Sequence, residues 1–398
     1  MIKTDVCIIG AGPAGTTTAL YLEKMGISSV IVDKSTFPRH KACGEAMRVN
    51  VHFVLKDLNP EYLEELREKI VLQSSILRVV STNGTPLTMH LGRAFSYMAK
   101  RYEFDNFLIS KIKDKDKVQL IENQPVQKIT KTENGYLLSD YSNEFQLETK
   151  LIVFAAGANT ALQKQIETVS KDSTNKVVGV RAYFKNATFT NDTTHIFLFK
   201  ELYGGYVWVF PLPDGNANIG LAMKSQIVQE NKVNMRAMFD KLTKHERLQP
   251  YLKNATIDST LGGATIMLPK IGQSLSGEGY MLTGDSGLAI NPITGFGVGH
   301  AMKMGRSAAK QVQRCLEANN FSEAFMKQYD NEVFKELGTE VKYGLRLTSL
   351  FNKTWLVDGL IRLFGNSKAF KKLFKNASFA SNLRNPVFIF KKLFFSRS

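Results

Sequence analysis

Residues 4–33 read TDVCIIGAGPAGTTTALYLEKMGISSVIVD, and the order of residue types in this stretch decides the fold. The run Val6–Ile9 is short, apolar and β-branched, as a buried strand requires. Gly10, Gly12 and Gly15 follow at the spacing of a tight turn that opens a helix. Ala19, Leu20, Leu22 and Met25 continue that helix, which stops at Gly26 before a second apolar strand ending in Asp33. In such a βαβ unit the glycines allow close backbone approach, the helix N-terminus attracts a pyrophosphate, and the acid accepts ribose hydroxyls. A bare GxGxxG is weak evidence, but in this setting it favours dinucleotide binding over a merely structural turn.

A second constellation separates the candidate dinucleotides. Gly284-Asp285 closes a strand, and NPITGFGV, residues 291–298, leads into a helix. An aspartate at a strand end suits a ribityl hydroxyl, and a helix N-terminus opened by glycines suits the electron-rich pyrimidine edge of a flavin. NAD enzymes do not need this second site, so the pair points to FAD.

Bulk properties set the outer limits. The chain has 398 residues, 43% of them apolar, and a formal charge of +16. Nine Lys or Arg and no Asp or Glu fall between Gly359 and Ser398, so this tail carries more than half of the excess. The remainder is mildly basic and shows no nucleic-acid motif, which argues against a nucleic-acid enzyme. Cys7, Cys43 and Cys315 are too few and too widely spaced for a disulfide framework or a zinc site, so no metal is expected and a reducing cytoplasm is. The sequence shows no signal-peptide pattern and no apolar run long enough to span a bilayer.

The expected architecture is α/β, a Rossmann-like FAD-binding domain interleaved with an antiparallel β-sheet substrate domain and followed by a helical C-terminus. Residues 1–70, 96–175 and 260–315 are assigned to the FAD-binding domain, 71–95 and 176–259 to the sheet domain, and 316–398 to a helical, basic C-terminal region. A hairpin turning at Asn83-Gly84 and a helix over YMAKRYEFDNFLISKI are expected within this frame. In the tail, Leu356, Leu360, Leu363 and Phe364 recur at helical spacing, as do Phe370, Leu373 and Phe374, with Gly365-Asn366 between them. Those apolar faces either pack on the enzyme's own body or rest on an anionic membrane surface.

GAGPAG, KACGE, RYEFDNFL, GYVWVFPLPDGNANIGLAM and GDSGLAINPITGFGVGHAM occur in that order, and in this the chain resembles the geranylgeranyl reductase family of FAD-dependent oxidoreductases, within the p-hydroxybenzoate hydroxylase superfamily. The resemblance covers about residues 3–310. It implies reduction of carbon-carbon double bonds in a polyprenyl group on a lipid or lipid precursor, with NAD(P)H or ferredoxin as electron donor. The combined cofactor set is Gly10, Gly12, Pro13, Ala14, Gly15, Asp33, Lys34, Cys43, Gly44, Ala46, Arg101, Val126, Gly157, Gly284, Asp285, Pro292, Gly295, Gly297 and Val298. In VFAAGAN, Ala156 stands where many superfamily members have an acid, which leaves the route of nucleotide reduction open.

Cys43 lies on a loop that in this fold returns towards the flavin, and it is read either as a thiol that shapes the flavin face and relays a proton or as a packing residue. Cys7 and Cys315 are read as packing residues. Tyr206, Trp208 and Phe210 alternate on a strand and therefore share one face, as the wall of an apolar substrate tunnel or as a sheet covering its own core. The enzymatic alternative is an aromatic hydroxylase or halogenase of the same superfamily; the other is a flavoprotein that binds a lipid or passes electrons. A cytoplasmic location is expected, with the basic C-terminus offering contact with the inner face of the membrane.

Overall fold

In the computed structural model, which describes residues 1–91, 96–158, 161–166, 176–270, 272–287, 289–351 and 353–364, β1 (Ile2–Ile9) runs into α1 (Pro13–Lys24) and returns through β2 (Ser29–Val32). The turn depends on Gly10. Its φ of 104° is one that L side chains rarely adopt, and a Cβ there would stand 2.4 Å from the Ala155 carbonyl oxygen. Beyond β2 a loop leads to β3 (Ala46–Arg48), α2 (Asn50–Leu58) and α3 (Pro60–Lys69), the last capped by Asn59 accepting from Glu61 N. Then come β4 (Leu72–Ser74), the hairpin β5 (Ile76–Val80) and β6 (Pro86–His90), β7 (Ser96–Met98), α4 (Arg101–Lys113) and β8 (Val118–Ile121). A second hairpin, β9 (Lys128–Thr132) and β10 (Gly135–Ser139), precedes the long β11 (Gln146–Phe154).

The next segment is mostly strand: β12 (Lys176–Lys185), β13 (Thr193–Leu198), β14 (Tyr206–Pro211) and β15 (Ala217–Lys224). Helices α5 (Ser225–Glu230), α6 (Met235–Thr243) and α7 (Gln249–Leu252) follow, then β16 (Thr256–Ile257), β17 (Gly262–Met267), β18 (Ser276–Gly277) and β19 (Tyr280–Leu282). Three helices complete the described chain: α8 (Val298–Ala318), α9 (Glu323–Phe351) and α10 (Thr354–Phe364).

Pairing sorts these strands into layers. β19, β11, β1, β2 and β8 lie side by side and parallel, with their carboxyl ends at one edge. Helices α1, α4 and α8 cover one face through a core that includes Ile8, Leu22, Phe104, Leu108 and Met302. The second sheet runs β16-β12-β15-β14-β13-β5-β6, antiparallel except where β13 meets β5, and β17 adds to β12. Its outer face is sealed by α6 and α7 through Phe239, Leu242 and Leu252. β3, β7 and β4 form a small third sheet.

Three assignments change. Gly262–Met267, grouped from sequence with the FAD-binding segments, pairs along β12 from Lys176 to Arg181 and so belongs to the antiparallel sheet; its two adjacent glycines obscure the period-two pattern. Leu72–Ser74, grouped with the substrate sheet, pairs instead with β7 in the small sheet. Tyr97 and Met98, expected in a helix, are strand residues because β7 is flanked by β3 and β4, and helix begins only at Arg101. The expected helix over Leu356–Phe364 is present as α10, while Phe370, Leu373, Phe374 and the rest of the basic tail lie outside the described residues.

Candidate flavin and substrate site

The carboxyl ends of the parallel strands gather the motifs that are far apart in sequence. Gly10 follows β1, Asp33 follows β2, Ala155–Gly157 follows β11, and Gly284-Asp285 follows β19. In open α/β sheets ligands bind in the crevice at this edge. Asp33 is buried, its two carboxylate oxygens accepting from Ala11 N at 2.7 Å and Ser35 N at 2.8 Å. The next residue, Lys34, is exposed. Val126 packs against the apolar cluster that includes Ile9, Val30 and Val32.

Two helix N-termini open here. α1 starts from Gly12 with Pro13 in its first turn, and α8 starts from Gly297 with Val298 as its first residue; neither has a side-chain cap or an acid in the first turn. Their amide donors therefore carry uncompensated partial positive charge, which favours a pyrophosphate at one and a flavin edge at the other. The two ends are close: a Cβ on Gly284 would lie 3.1 Å from Ala14 Cβ and 3.5 Å from Ala301 Cβ, and one on Gly297 would lie 3.6 Å from Asp285 Oδ1. Gly15 also belongs to this knot, its Cα side pressed against the Gly10 carbonyl. A bare backbone cradle, an acid at the end of β2 and two uncapped helix ends fit FAD.

Charged side chains frame the crevice. Arg101 is buried and holds Asp105 by two bonds, Nε to Oδ1 at 2.6 Å and Nη2 to Oδ2 at 2.7 Å. Burial alone would lower the guanidinium pKa, but Asp105, and to a lesser degree Cys43 and Asp285, raise it above its ordinary value, so it stays charged. Arg39 reaches the same Asp105 at 3.2 Å and flanks the Gly12 turn. Lys41 Nζ lies 3.3 Å from Asp285 Oδ2, and Ser286 Oγ donates to the Gly157 carbonyl at 2.8 Å.

The loop carrying Cys43 passes between this crevice and the antiparallel sheet. Gly44 faces Trp208 and Phe210, and Ala46 is buried with Met98, Trp208, Phe210 and Ala222. Tyr206, Trp208 and Phe210 form a row on one face, with ring centroids 6.1 Å and 6.2 Å apart. Tyr206 Oη donates to Thr294 O at 3.4 Å, so the row ends against the loop holding Pro292 and Gly295. That loop is tied from behind: Asn291 donates to Glu340 on α9, and Gly344 of the same helix sits against Pro292. The structure thus brings Cys43, both glycine loops and the aromatic row together, while Lys34 and Val126 stand at the margin.

Glu45 and Asn218 lie within the KACGE and NANIGLAM stretches, but the motifs do not reveal their contacts. Glu45 is buried and accepts from Tyr183 Oη at 2.5 Å, Arg101 N at 3.0 Å and Asn218 Nδ2 at 3.1 Å. Burial pushes its carboxyl above the usual range, and the donors from Tyr183, Arg101 and Asn218 pull it back. Asn218 offered one signal, a carboxamide inside the otherwise apolar strand ANIGLAM. Glu340, in the long helix α9, offered none.

Comparison with known proteins agrees with this geometry. A protein-family model described as FAD binding domain matches residues 3–332. The chain is 27% identical over 356 residues to the digeranylgeranylglycerophospholipid reductase of Methanococcus vannielii, covering 87% of each chain. It is 24% identical to digeranylgeranylglycerophospholipid reductase 2 of Methanopyrus kandleri, covering 88% of this chain and 87% of that one. Among solved structures, a geranylgeranyl bacteriochlorophyll reductase-like protein from Thermoplasma acidophilum superposes with a TM-score of 0.83 at 19% identity, covering 99% of this chain and 96% of its own. A flavin-dependent brominase gives a TM-score of 0.74 at 21% identity, covering 94% and 98%. The chain belongs to the FAD binding domain family and is an FAD-dependent oxidoreductase.

Proposed function

We propose that this enzyme reduces carbon-carbon double bonds of geranylgeranyl-type chains on a glycerophospholipid or its precursor. The observation that carries this reading is the aromatic row Tyr206–Trp208–Phe210 lying against the Cys43–Ala46 loop, an apolar wall beside the flavin crevice. The reductase names of its relatives support the same substrate class. FAD, when bound, supplies the hydride that adds to one alkene carbon. An isolated alkene has no carbonyl to absorb charge, so the chain's own contribution is to orient the prenyl group, exclude water and bring a proton to the second carbon.

In this reading Gly10, Gly12, Pro13, Ala14 and Gly15 cradle the pyrophosphate, Asp33 holds the adenosine ribose, and Arg101, Asp285, Gly297 and Val298 line the flavin. Tyr206, Trp208 and Phe210 guide the prenyl chain. Cys43, half-buried between wall and crevice, holds the proton that completes the addition. NAD(P)H or ferredoxin supplies the electrons. The parallel-sheet segments form the FAD-binding unit and the antiparallel sheet the substrate unit.

The lipid would be met at an anionic membrane surface. Among the described residues no helix is long and apolar enough to cross a membrane. Trp355 and Leu363 on α10 are 70% and 73% exposed and lead into the tail whose cations have no acidic counterpart. Each cation near such a surface contributes about 1 kcal/mol.

Lipid mass spectrometry of cells with and without the gene tests the reading. Prenyl lipids that gain hydrogen pairs only when the gene is present support it. Oxygen-dependent nucleotide oxidation with an oxygenated or halogenated product would instead favour the hydroxylase or halogenase reading, which the brominase-like fold keeps in view.

A further inference from the structure

Glu45 combines three features that a packing residue does not need. It has a Cβ yet takes a left-handed φ of 64°, it is 1% exposed, and it presents its carboxylate to three donors from different parts of the chain. A strained backbone of this kind persists only where the surroundings over-determine it. Here they include β12 through Tyr183, β15 through Asn218 and the start of α4 through Arg101 N.

Asn218 links this acid to the reacting region. Its Oδ1 accepts from Trp208 Nε1 at 2.8 Å, and an indole can only donate, so the orientation of the amide is dictated. Its Nδ2 then faces the other way and donates both to Glu45 Oε2 and, at 2.9 Å, to the Cys43 carbonyl. The Glu45 amide completes the circuit by donating to Cys43 Sγ at 3.3 Å. Backbone and thiol of Cys43 are therefore both tied, through Glu45 and Asn218, to the indole in the aromatic wall.

We propose that Glu45 is a positioning residue, which with Asn218 fixes the Cys43 thiol relative to Trp208 and so sets the side of the prenyl chain that faces the proton. The inference rests on the reading of Cys43 and the aromatic wall as the substrate region. The carboxylate is specific to the task because it only accepts. A carboxamide in its place turns one oxygen into a donor, which opposes Asn218 in one orientation and the Arg101 amide in the other.

Alkylation of Cys43 in the FAD-loaded enzyme, located by mass spectrometry, tests this directly. Cys7 and Cys315 are fully buried, so the rapid signal belongs to Cys43. In Glu45→Gln the alkylation rate is expected to rise about tenfold and kcat for the lipid to fall by a similar factor with little change in KM. Tyr183→Phe removes one donor at the edge of the network, and about a threefold rise in alkylation is expected there. If Glu45→Gln does not fold, Tyr183→Phe carries the test. A folded variant of either kind that alkylates Cys43 at the wild-type rate overturns the proposal. Alkylation needs no substrate, so an error in the lipid assignment would leave this result intact and would show only as absent turnover in the wild type.

Discussion

The cysteines separate site from scaffold at the level of single residues. Cys7 lies in β1 among Ile152, Val30 and Tyr136, and burial pushes its thiol well above the ordinary range. Cys7→Ser puts a hydroxyl into that apolar layer and is expected to cost about 1–3 kcal/mol of stability, measured by denaturant unfolding, with FAD content per folded molecule unchanged. Cys43→Ser should do the opposite, folding and keeping FAD while turnover falls; equal turnover would reduce Cys43 to a packing residue. Trp208 raises a separate question, because it lies across Gly220, where a Cβ would stand 2.2 Å from Cζ2 and 2.5 Å from the Val180 carbonyl. Gly220→Ala must displace ring or strand and should destabilise by about 1–3 kcal/mol, with a shift in Trp208 fluorescence; an unchanged spectrum and stability would contradict the packing described.

Between elements, the decisive contact is the grip of α9 on the loop before α8. Glu340 meets His300 Nε2 at 3.5 Å and accepts from Asn291, whose Oδ1 in turn orders Ile293 N and Thr294 N. Burial opposes ionisation of Glu340, but the His300 hydrogen bond, together with Arg48 and Asn291, holds its pKa down to about 2. A carboxyl depressed on folding stabilises fully above its unfolded pKa of about 4.3 and loses that contribution as pH falls towards about 2. Glu340→Gln should therefore lower unfolding free energy near neutral pH by on the order of 2–3 kcal/mol, and the gap to wild type should narrow below about pH 4.3. A gap independent of pH would remove the carboxylate from this role. Elements with a strong local signal were legible in the sequence: the βαβ unit, the Asn83-Gly84 hairpin and the alternating aromatic strand. β7 and β17 were not, since each is held by neighbours on both sides or by a long partner strand rather than by its own pattern.

Over the whole molecule, FAD binding could be read from sequence because each half of the site is local, a glycine turn followed by a helix. The network around Glu45 could not, because its partners Tyr183 and Asn218 lie 138 and 173 residues away and are brought there by sheet pairing. Assembly of the site from distant segments also predicts that the cofactor reports on the fold: the purified protein should be yellow with non-covalent FAD, and Asp285→Ala should release it more readily on dilution. At the surface, full-length protein should float with anionic vesicles at low salt and lose that association when salt is raised; no flotation on anionic vesicles would remove the membrane contact. Reduction of a prenyl double bond is tested most directly by a single-turnover reaction. The holoenzyme, its flavin reduced with dithionite without oxygen, is mixed with digeranylgeranylglycerophospholipid and the lipid is weighed by mass spectrometry. A gain of one hydrogen pair, with reoxidation of the flavin, is the predicted result; an unaltered lipid beside a flavin that stays reduced would contradict it.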